Sequence, residues 1–265
     1  MQHVLIVNKP LGMTPLQVIE KLKQTDPAYE EQKITYAGRL DPMAHGVLLL
    51  VVGDEIKRKS HYLSLPKTYE FTVLFGVETD TYDLLGIVQH KKENKTPENV
   101  KEIVNTFVRY YEGAFDQEYP PYSSKTVNGK PLFWWAKMGK LHEITIPKRP
   151  IEIYSFELLS FGSIEKTNLH QQIRTTIPAI QGDFRQKAIL EQWENYFRKT
   201  KHKTFTTATF RISCSSGTYV RGLAHELGNV LNCGAIAIDI FRTAIGEYTI
   251  QTAMKINYGA GETTA

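Results

Sequence analysis

Gly38-Arg39-Leu40-Asp41-Pro42-Met43-Ala44-His45-Gly46-Val47-Leu48 is the stretch on which the reading turns. The proline after Asp41 pushes the aspartate backbone toward extended geometry. Pro42 is suited to open a helical turn, and Gly46 to end it before Gly46 to Val52, a continuous apolar run that reads as a buried strand. Asp41 is therefore expected at a strand-to-turn junction, a place where a side chain can face a cleft. An isolated Asp-Pro is more often a turn cap than a reactive group, so its neighbours must decide between the two.

Upstream, His3 to Val7 reads as a short strand, broken by Lys9-Pro10-Leu11-Gly12-Met13-Thr14-Pro15. Thr14 is expected to cap a helix that has Pro15 at its first position and runs through Val18, Ile19 and Leu22. Downstream, Thr68 to Phe75 is rich in β-branched and aromatic residues and reads as a strand entered from a turn at Pro66-Lys67. Val100, Ile103, Val104, Phe107 and Tyr111 recur at helical spacing within Glu98 to Tyr111. Tyr119 to Trp135 is crowded with turn residues and aromatics and reads as an exposed functional loop. Phe184 to Phe197 reads as an amphipathic helix, Phe205 to Ser213 as a strand, Val220 to Leu231 as a helix, and Gly259 to Glu262 as a frayed tail. Strands and helices interleave irregularly, which predicts an α+β fold rather than a doubly wound sheet.

At 265 residues and 42% hydrophobic content, the chain can bury a sizeable core. Its net charge of +4 permits a nucleic-acid partner without demanding one. Cys214 and Cys233 form no CxxC pair, the N-terminus lacks the basic n-region and small-residue cleavage site of a secretory signal, and Val47 to Val52 is far shorter than the roughly 20 residues a bilayer needs. These features predict a cytoplasmic globular protein with no membrane partner.

The run around Asp41 resembles the Gly-Arg-Leu-Asp-Pro-Leu-Ala-Thr-Gly-Val-Leu signature of the TruB family of pseudouridine synthases. Further blocks follow in that family's order. Lys9 to Thr14 is similar to its Lys-Pro-x-Gly-x-Thr motif, Lys67-Thr68-Tyr69 to its Lys-x-Tyr block, and Gly76 to Asp83 to its Gly-x-x-Thr-Asp-Thr-x-Asp block. Tyr119 to Phe133 is similar to its Pro-Pro-x-x-Ser-Ala loop, Cys214 to Arg221 to its Cys-Ser-x-Gly-Thr-Tyr-Ile-Arg motif, and Phe241 to Gly246 to its closing Arg-Arg-Thr-x-x-Gly.

The resemblance implies a pseudouridine synthase fold, with a central, mixed but mostly antiparallel sheet flanked by helices and loops. It implies one catalytic domain over residues 1–265, with a thumb loop at about 119–142 and a basic insertion at about 164–203, and no C-terminal PUA domain. The implied reaction is isomerisation of uridine to pseudouridine in the T arm of tRNA, at position 55, with no cofactor and no metal. Asp41 is the implied catalytic nucleophile. Arg221 is the implied guanidinium that keeps Asp41 charged, and Asp80 the implied residue that pairs with Arg221 and holds its geometry. Tyr69 would stack on the target base, Tyr219 line the pocket, and Ile240 lie against the flipped base. Lifting a base from its stack leaves a gap. The family fills it with a histidine, and Tyr36 stands at that position here.

Other departures are Pro15 for serine, Ala37 and His45 for threonines, Ser216 for lysine and Phe241 for arginine, with the thumb lysine displaced to Lys125. Lys125, Lys130, Lys137 and Lys140 are candidates for phosphate contacts. Within the insertion, Arg174, Arg185, Lys187, Arg198, Lys199, Lys201 and Lys203 suggest either added RNA-contacting surface or a solvated helical face. Without a PUA domain the expectation is a bacterial-type monomer acting without guide RNA or protein partner. A tRNA-binding folding chaperone is the rival reading, against which the retained Asp41, Tyr69 and Arg221 argue. A metal or hydrolytic enzyme is disfavoured because His45, His61, His90, His142, His170, His202 and His225 show no ligand spacing.

Overall fold

Thr14 caps the first helix as its sequence predicts. Its hydroxyl accepts the Gln17 N–H at 3.3 Å while its own N–H donates to the Gln17 side chain at 2.7 Å, a reciprocal capping box. The computed structural model describes residues 3–89 and 96–255, so His90 and the tail at Gly259 to Glu262 lie outside the described residues. In chain order the elements are β1 (Val4–Lys9), α1 (Pro15–Thr25), β2 (Ile34–Ala37), β3 (Ala44–Val52), α2 (Lys59–Ser64), β4 (Lys67–Phe75), α3 (Val100–Tyr110) and β5 (Gly113–Glu118). They continue with β6 (Thr126–Val127), β7 (Lys130–Pro131), α4 (Leu132–Lys137), β8 (Lys148–Glu165), α5 (Lys166–Ala179), α6 (Gln186–Lys199), β9 (Thr204–Cys214), α7 (Val220–Val230), β10 (Ala235–Ile245), β11 (Tyr248–Thr249) and β12 (Met254–Lys255).

The main sheet runs β12-β1-β3-β10-β4-β9-β8-β5, with β2 beside β3 and β11 beside β10. Only the β1–β12 and β3–β10 pairings are parallel among the described strands, so the fold is α+β with a mixed, mostly antiparallel sheet. β10 enters between β3 and β4 and sets Ile240 beside Ala44 on one side and Phe71 on the other.

Apolar residues alternate along β4 and β9, so these strands separate two of the sheet's cores. Tyr69, Phe71, Val73, Phe210 and Ile212 meet α3 and α7 through Val104, Phe107, Leu223 and Leu227. The other core joins Leu74, Ile236 and Ile238 to α5 and α6 through Leu169, Ile173, Ile177, Ile189, Trp193 and Phe197. It also covers the segment after β4 through Val77, Leu84, Leu85 and Val88.

Two expectations change. No helical turn separates Asp41 from the buried strand. The Asp41 carbonyl takes the Ala44 N–H at 3.0 Å, and β3 starts at once. Gly46 lies inside β3 at φ +103, where a Cβ would run into the Arg242 carbonyl of the parallel neighbour, so the glycine permits strand pairing rather than ending a turn. The stretch from Tyr119 to Trp135 is also more ordered than a loop. Asn128 and Gly129, both at positive φ, turn the β6–β7 hairpin, which leads into α4.

Candidate active site

Asp41 sits in the short link between β2 and β3, where Pro42 and the Ala44 hydrogen bond fix its backbone. Its Oδ2 accepts from the Arg221 Nε at 2.8 Å, joining residues far apart in sequence. The two partners differ sharply: the Arg221 side chain is 4% exposed, whereas the Asp41 side chain is 40% exposed. The carboxylate is therefore open to an incoming molecule while the guanidinium beneath it is fixed.

The other nitrogens of Arg221 are held by backbone. Nη1 donates to the Thr81 carbonyl at 2.8 Å and Nη2 to the Tyr122 carbonyl at 3.0 Å. The sequence places Arg221 in the first turn of α7, just after Tyr219. Gln117 clamps that entry: its side chain accepts the Tyr219 N–H at 2.8 Å and donates to the Tyr219 carbonyl at 3.0 Å. Burial works against the charged guanidinium, but Asp41 and then Asp83 outweigh it, so the Arg221 pKa lies above its ordinary value. Buried Asp83 is pushed up to about 6 by desolvation, against the pull of Arg221 and of the Thr81 hydroxyl, which donates to it at 2.6 Å.

Tyr69 lies on β4 beside Arg242 of β10 and Ile212 of β9. Its ring is buried in the α7-side core, and the Arg242 guanidinium stands 6.0 Å from its centroid. Desolvation holds the phenol well above its ordinary pKa, so Tyr69 keeps its proton. Ile240 and Leu40 belong to the same core, so Ile240 adds an apolar wall near Tyr69. Tyr219 is half-buried, with Arg221 5.5 Å from its ring and Tyr119 of the thumb edge-on to it at 5.8 Å.

Asp41, Arg221, Tyr69, Tyr219 and Ile240 are thus brought to one end of the α7-side core. Tyr36 is not. It lies on β2 with its half-buried ring against the α1 cluster, under the Lys59 ammonium at 5.4 Å.

Asp80 requires a correction. It does not pair with Arg221, whose nitrogens are taken by Asp41, Thr81 and Tyr122. Its partner is Arg185 from the insertion, with Oδ2 accepting from Nη1 at 2.7 Å and Oδ1 from Nη2 at 3.3 Å.

A second charged layer went unread in the sequence. Arg242 is buried and donates to the Val47 carbonyl at 2.7 Å and the Arg39 carbonyl at 2.9 Å, holding the Asp41 segment from below. Lys9 is also buried and binds the Pro10 and Met13 carbonyls at 2.8 and 2.6 Å. Desolvation and then Arg242 bring its pKa down to about 7, against the opposing pull of Asp41. Both residues lie in the quoted motif blocks. Their signal is a cation inside a largely apolar stretch, which spacing alone does not separate from a surface charge.

Some cations of this segment are engaged, whereas Lys187, Arg198, Lys199, Lys201 and Lys203 are exposed. Arg174 and His170 both approach Glu194, Lys166 caps the Phe197 carbonyl at 3.0 Å, and Arg185 is occupied by Asp80. Among the described residues, no cluster of three or more His, Cys, Asp or Glu side chains is arranged to hold a metal ion, and no helix is long and apolar enough to cross a membrane.

Residues 27–177 match the family model described as TruB family pseudouridylate synthase (N terminal domain). The chain is 30% identical over 257 residues to the tRNA pseudouridine synthase B of Aquifex aeolicus (strain VF5), covering 97% of this chain and 72% of that protein. It is 32% identical over 257 residues to the protein of the same name from Lactobacillus acidophilus, covering 96% of this chain and 72% of that one. Among solved structures it is similar in fold to one described as a Cbf5-Nop10-Gar1 complex, with a TM-score of 0.57 and 18% identity. That likeness covers 96% of this chain and 52% of the other, so the chain spans about half the length of that neighbour.

Proposed function

Because the chain belongs to the TruB family of pseudouridylate synthases, we propose that it isomerises uridine to pseudouridine in the T arm of tRNA, at position 55, with Asp41 as nucleophile. The observation that carries this reading is the fixed Arg221 guanidinium, 2.8 Å from a carboxylate that stays open to solvent.

The reaction breaks the C1′–N1 bond of uridine, rotates the freed uracil, and forms a C1′–C5 bond. N1 takes up a proton and C5 loses one, so nothing is added overall. Asp41, which accepts from the Arg221 Nε at 2.8 Å, either attacks C1′ or removes the C2′ proton to start glycal formation. Each route needs a carboxylate that is charged and reachable: the buried guanidinium supplies the countercharge, and the 40% exposure of the Asp41 side chain supplies the access. Tyr69 and Ile240 provide the flat and apolar surfaces for an extruded base. Because burial keeps its phenol protonated, Tyr69 serves as a stacking surface with a hydroxyl and not as a standing phenolate base. Tyr36 presents a half-buried ring ahead of Asp41 and is proposed to stack into the vacated space.

The thumb supports RNA holding. Lys125 stands over the Tyr119 ring at 5.5 Å and Lys130 over the Trp134 ring at 5.5 Å, cations joined to flat surfaces beside the site. Such a surface would also serve a tRNA-folding chaperone. Purified protein with a T-arm stem-loop transcript separates the readings: pseudouridine forms with wild type and not with Asp41→Asn. Chemical mapping of tRNA from cells with and without the protein tests the substrate, and an unchanged T arm would overturn the assignment.

A further inference from the structure

Arg185 occupies a position no ordinary arginine takes. It precedes α6 at φ +65, in the left-handed region that strains a non-glycine residue, and its surroundings hold it there. Its guanidinium forms a two-pronged pair with Asp80, donates from Nη1 to the Tyr122 hydroxyl at 2.6 Å, and lies 4.3 Å from the centre of the Tyr122 ring. The side chains of Arg185 and Asp80 are only 24% and 21% exposed, which shields the pair from solvent.

The groups gripped by Arg185 are those that aim Arg221. Asp80 precedes Thr81, whose carbonyl holds Nη1 of Arg221, and Asp80 closes its own loop by accepting the Ile87 N–H at 2.8 Å. Tyr122 belongs to the thumb, and its carbonyl holds Nη2 of Arg221. One guanidinium therefore ties together two chain segments whose carbonyls direct a second guanidinium at Asp41. The base of this tie is stiff. The Trp193 indole N–H donates to the Leu84 carbonyl at 3.2 Å, and α5 and α6 pack their apolar faces against Val77, Leu84, Leu85 and Val88.

We propose that Arg185 is a positioning residue, supplied by the α5–α6 insertion, that sets the Asp41–Arg221 geometry through Asp80 and Tyr122. The proposal rests on the reading of Asp41 as nucleophile. Arg185 acts through other residues and does not touch the reacting atoms. Displacing a reacting group by about 1 Å can cost a hundredfold in rate, so the effect belongs in the chemical step and not in RNA affinity.

The test uses the full-length protein with Arg185→Ala, Arg185→Lys and Tyr122→Phe, reading single-turnover pseudouridine formation, stem-loop Kd, and hydrogen exchange of residues 78–88 and 119–125. Arg185→Ala is expected to slow the single-turnover rate about 10- to 100-fold, with Kd held within about threefold and faster exchange in both segments. Arg185→Lys, which keeps one contact to Asp80, is expected to recover part of the rate. An unchanged rate overturns the proposal, as does a loss confined to Kd, which would make Arg185 an RNA-gripping residue. Should Arg185→Ala not fold, Tyr122→Phe decides, because it removes a single hydroxyl and leaves the carbonyl on Arg221; a wild-type rate there overturns the tie. If the wild-type protein itself leaves the stem-loop unmodified, the substrate reading fails, and exchange in the two segments still decides whether Arg185 links them.

Discussion

The sheet carries helices against two cores, and they work differently. On the α7 side the contacts around the site are polar and directional: Arg221 spends its donors on Asp41, Thr81 and Tyr122, and Gln117 clamps Tyr219. On the α5–α6 side the contacts are apolar and numerous, with Ile173, Ile177, Ile189, Trp193 and Phe197 forming the core and Arg185 sending a charge across to Asp80. Directional contacts fix orientation but cost desolvation. Apolar burial stabilises without direction. One side therefore aims the site, and the other stiffens the segment that aims it.

The strongest way to break this contrast is Asp41→Asn. Removal of the nucleophile should lower single-turnover rate by on the order of a thousandfold or more, while the melting temperature should fall only modestly, because asparagine keeps an oxygen to accept from Arg221 at a side chain that is 40% exposed. A melting shift comparable to the activity loss would show Asp41 to be a structural cap.

Trp193→Ala inverts the pattern. Loss of a fully buried indole and its hydrogen bond to Leu84 should cost about 3–5 kcal/mol of stability in urea unfolding. Activity measured below the new midpoint should fall far less than for Asp41→Asn.

Arg221→Lys keeps a charge but cannot reach Asp41, Thr81 and Tyr122 together. The expectation is a rate loss of about a hundredfold with a lowered melting temperature. Equal activity in wild type and variant would remove the ion pair from the mechanism.

Lys9 tests the charged layer beneath the site through pH. Its folded pKa of about 7 lies below the ordinary 10.5, so between these values the unfolded chain binds more protons than the folded one, and stability rises with pH. Wild type should gain on the order of 2 kcal/mol relative to Lys9→Met between pH 7 and pH 9. Parallel unfolding curves at both pH values would show that Lys9 titrates normally.

Tyr36→Ala should have the smallest effect. A slowing of about fivefold is expected on folded tRNA and none on an isolated stem-loop, since stacking in a vacated gap contributes about 1 kcal/mol only where a gap must be opened. An unchanged rate on folded tRNA sinks the stacking role.

The contrast also explains what could be read in advance. Asp41, Tyr69 and Arg221 sit in short blocks whose residue order is dictated by chemistry, and α1 announced itself through Thr14, Pro15 and Gln17, all local signals. The partner of Asp80 was misread because nothing local in its block points to Arg185, which lies 105 residues further along the chain. β8 escaped notice because its 18 residues alternate irregularly between buried and exposed, with register shifts between Ile153 and Ser155 and between Leu158 and Ser160. The buried cations Lys9 and Arg242 donate to backbone carbonyls, and carbonyls carry no sequence signature.

The insertion of β10 between β3 and β4 has a consequence for biosynthesis. The first half of the sheet, β1 to β3, and the second half, β4 with β9, β8 and β5, meet only through a strand at residues 235–245. On the ribosome both halves emerge before that strand, each with an unpaired edge. The nascent chain therefore carries two open sheets that a late strand must zip together, and the parallel register of β3 against β10 is fixed in the same event. Catalytic competence should appear abruptly, once residue 245 has cleared the exit tunnel, with no partially active precursor before it.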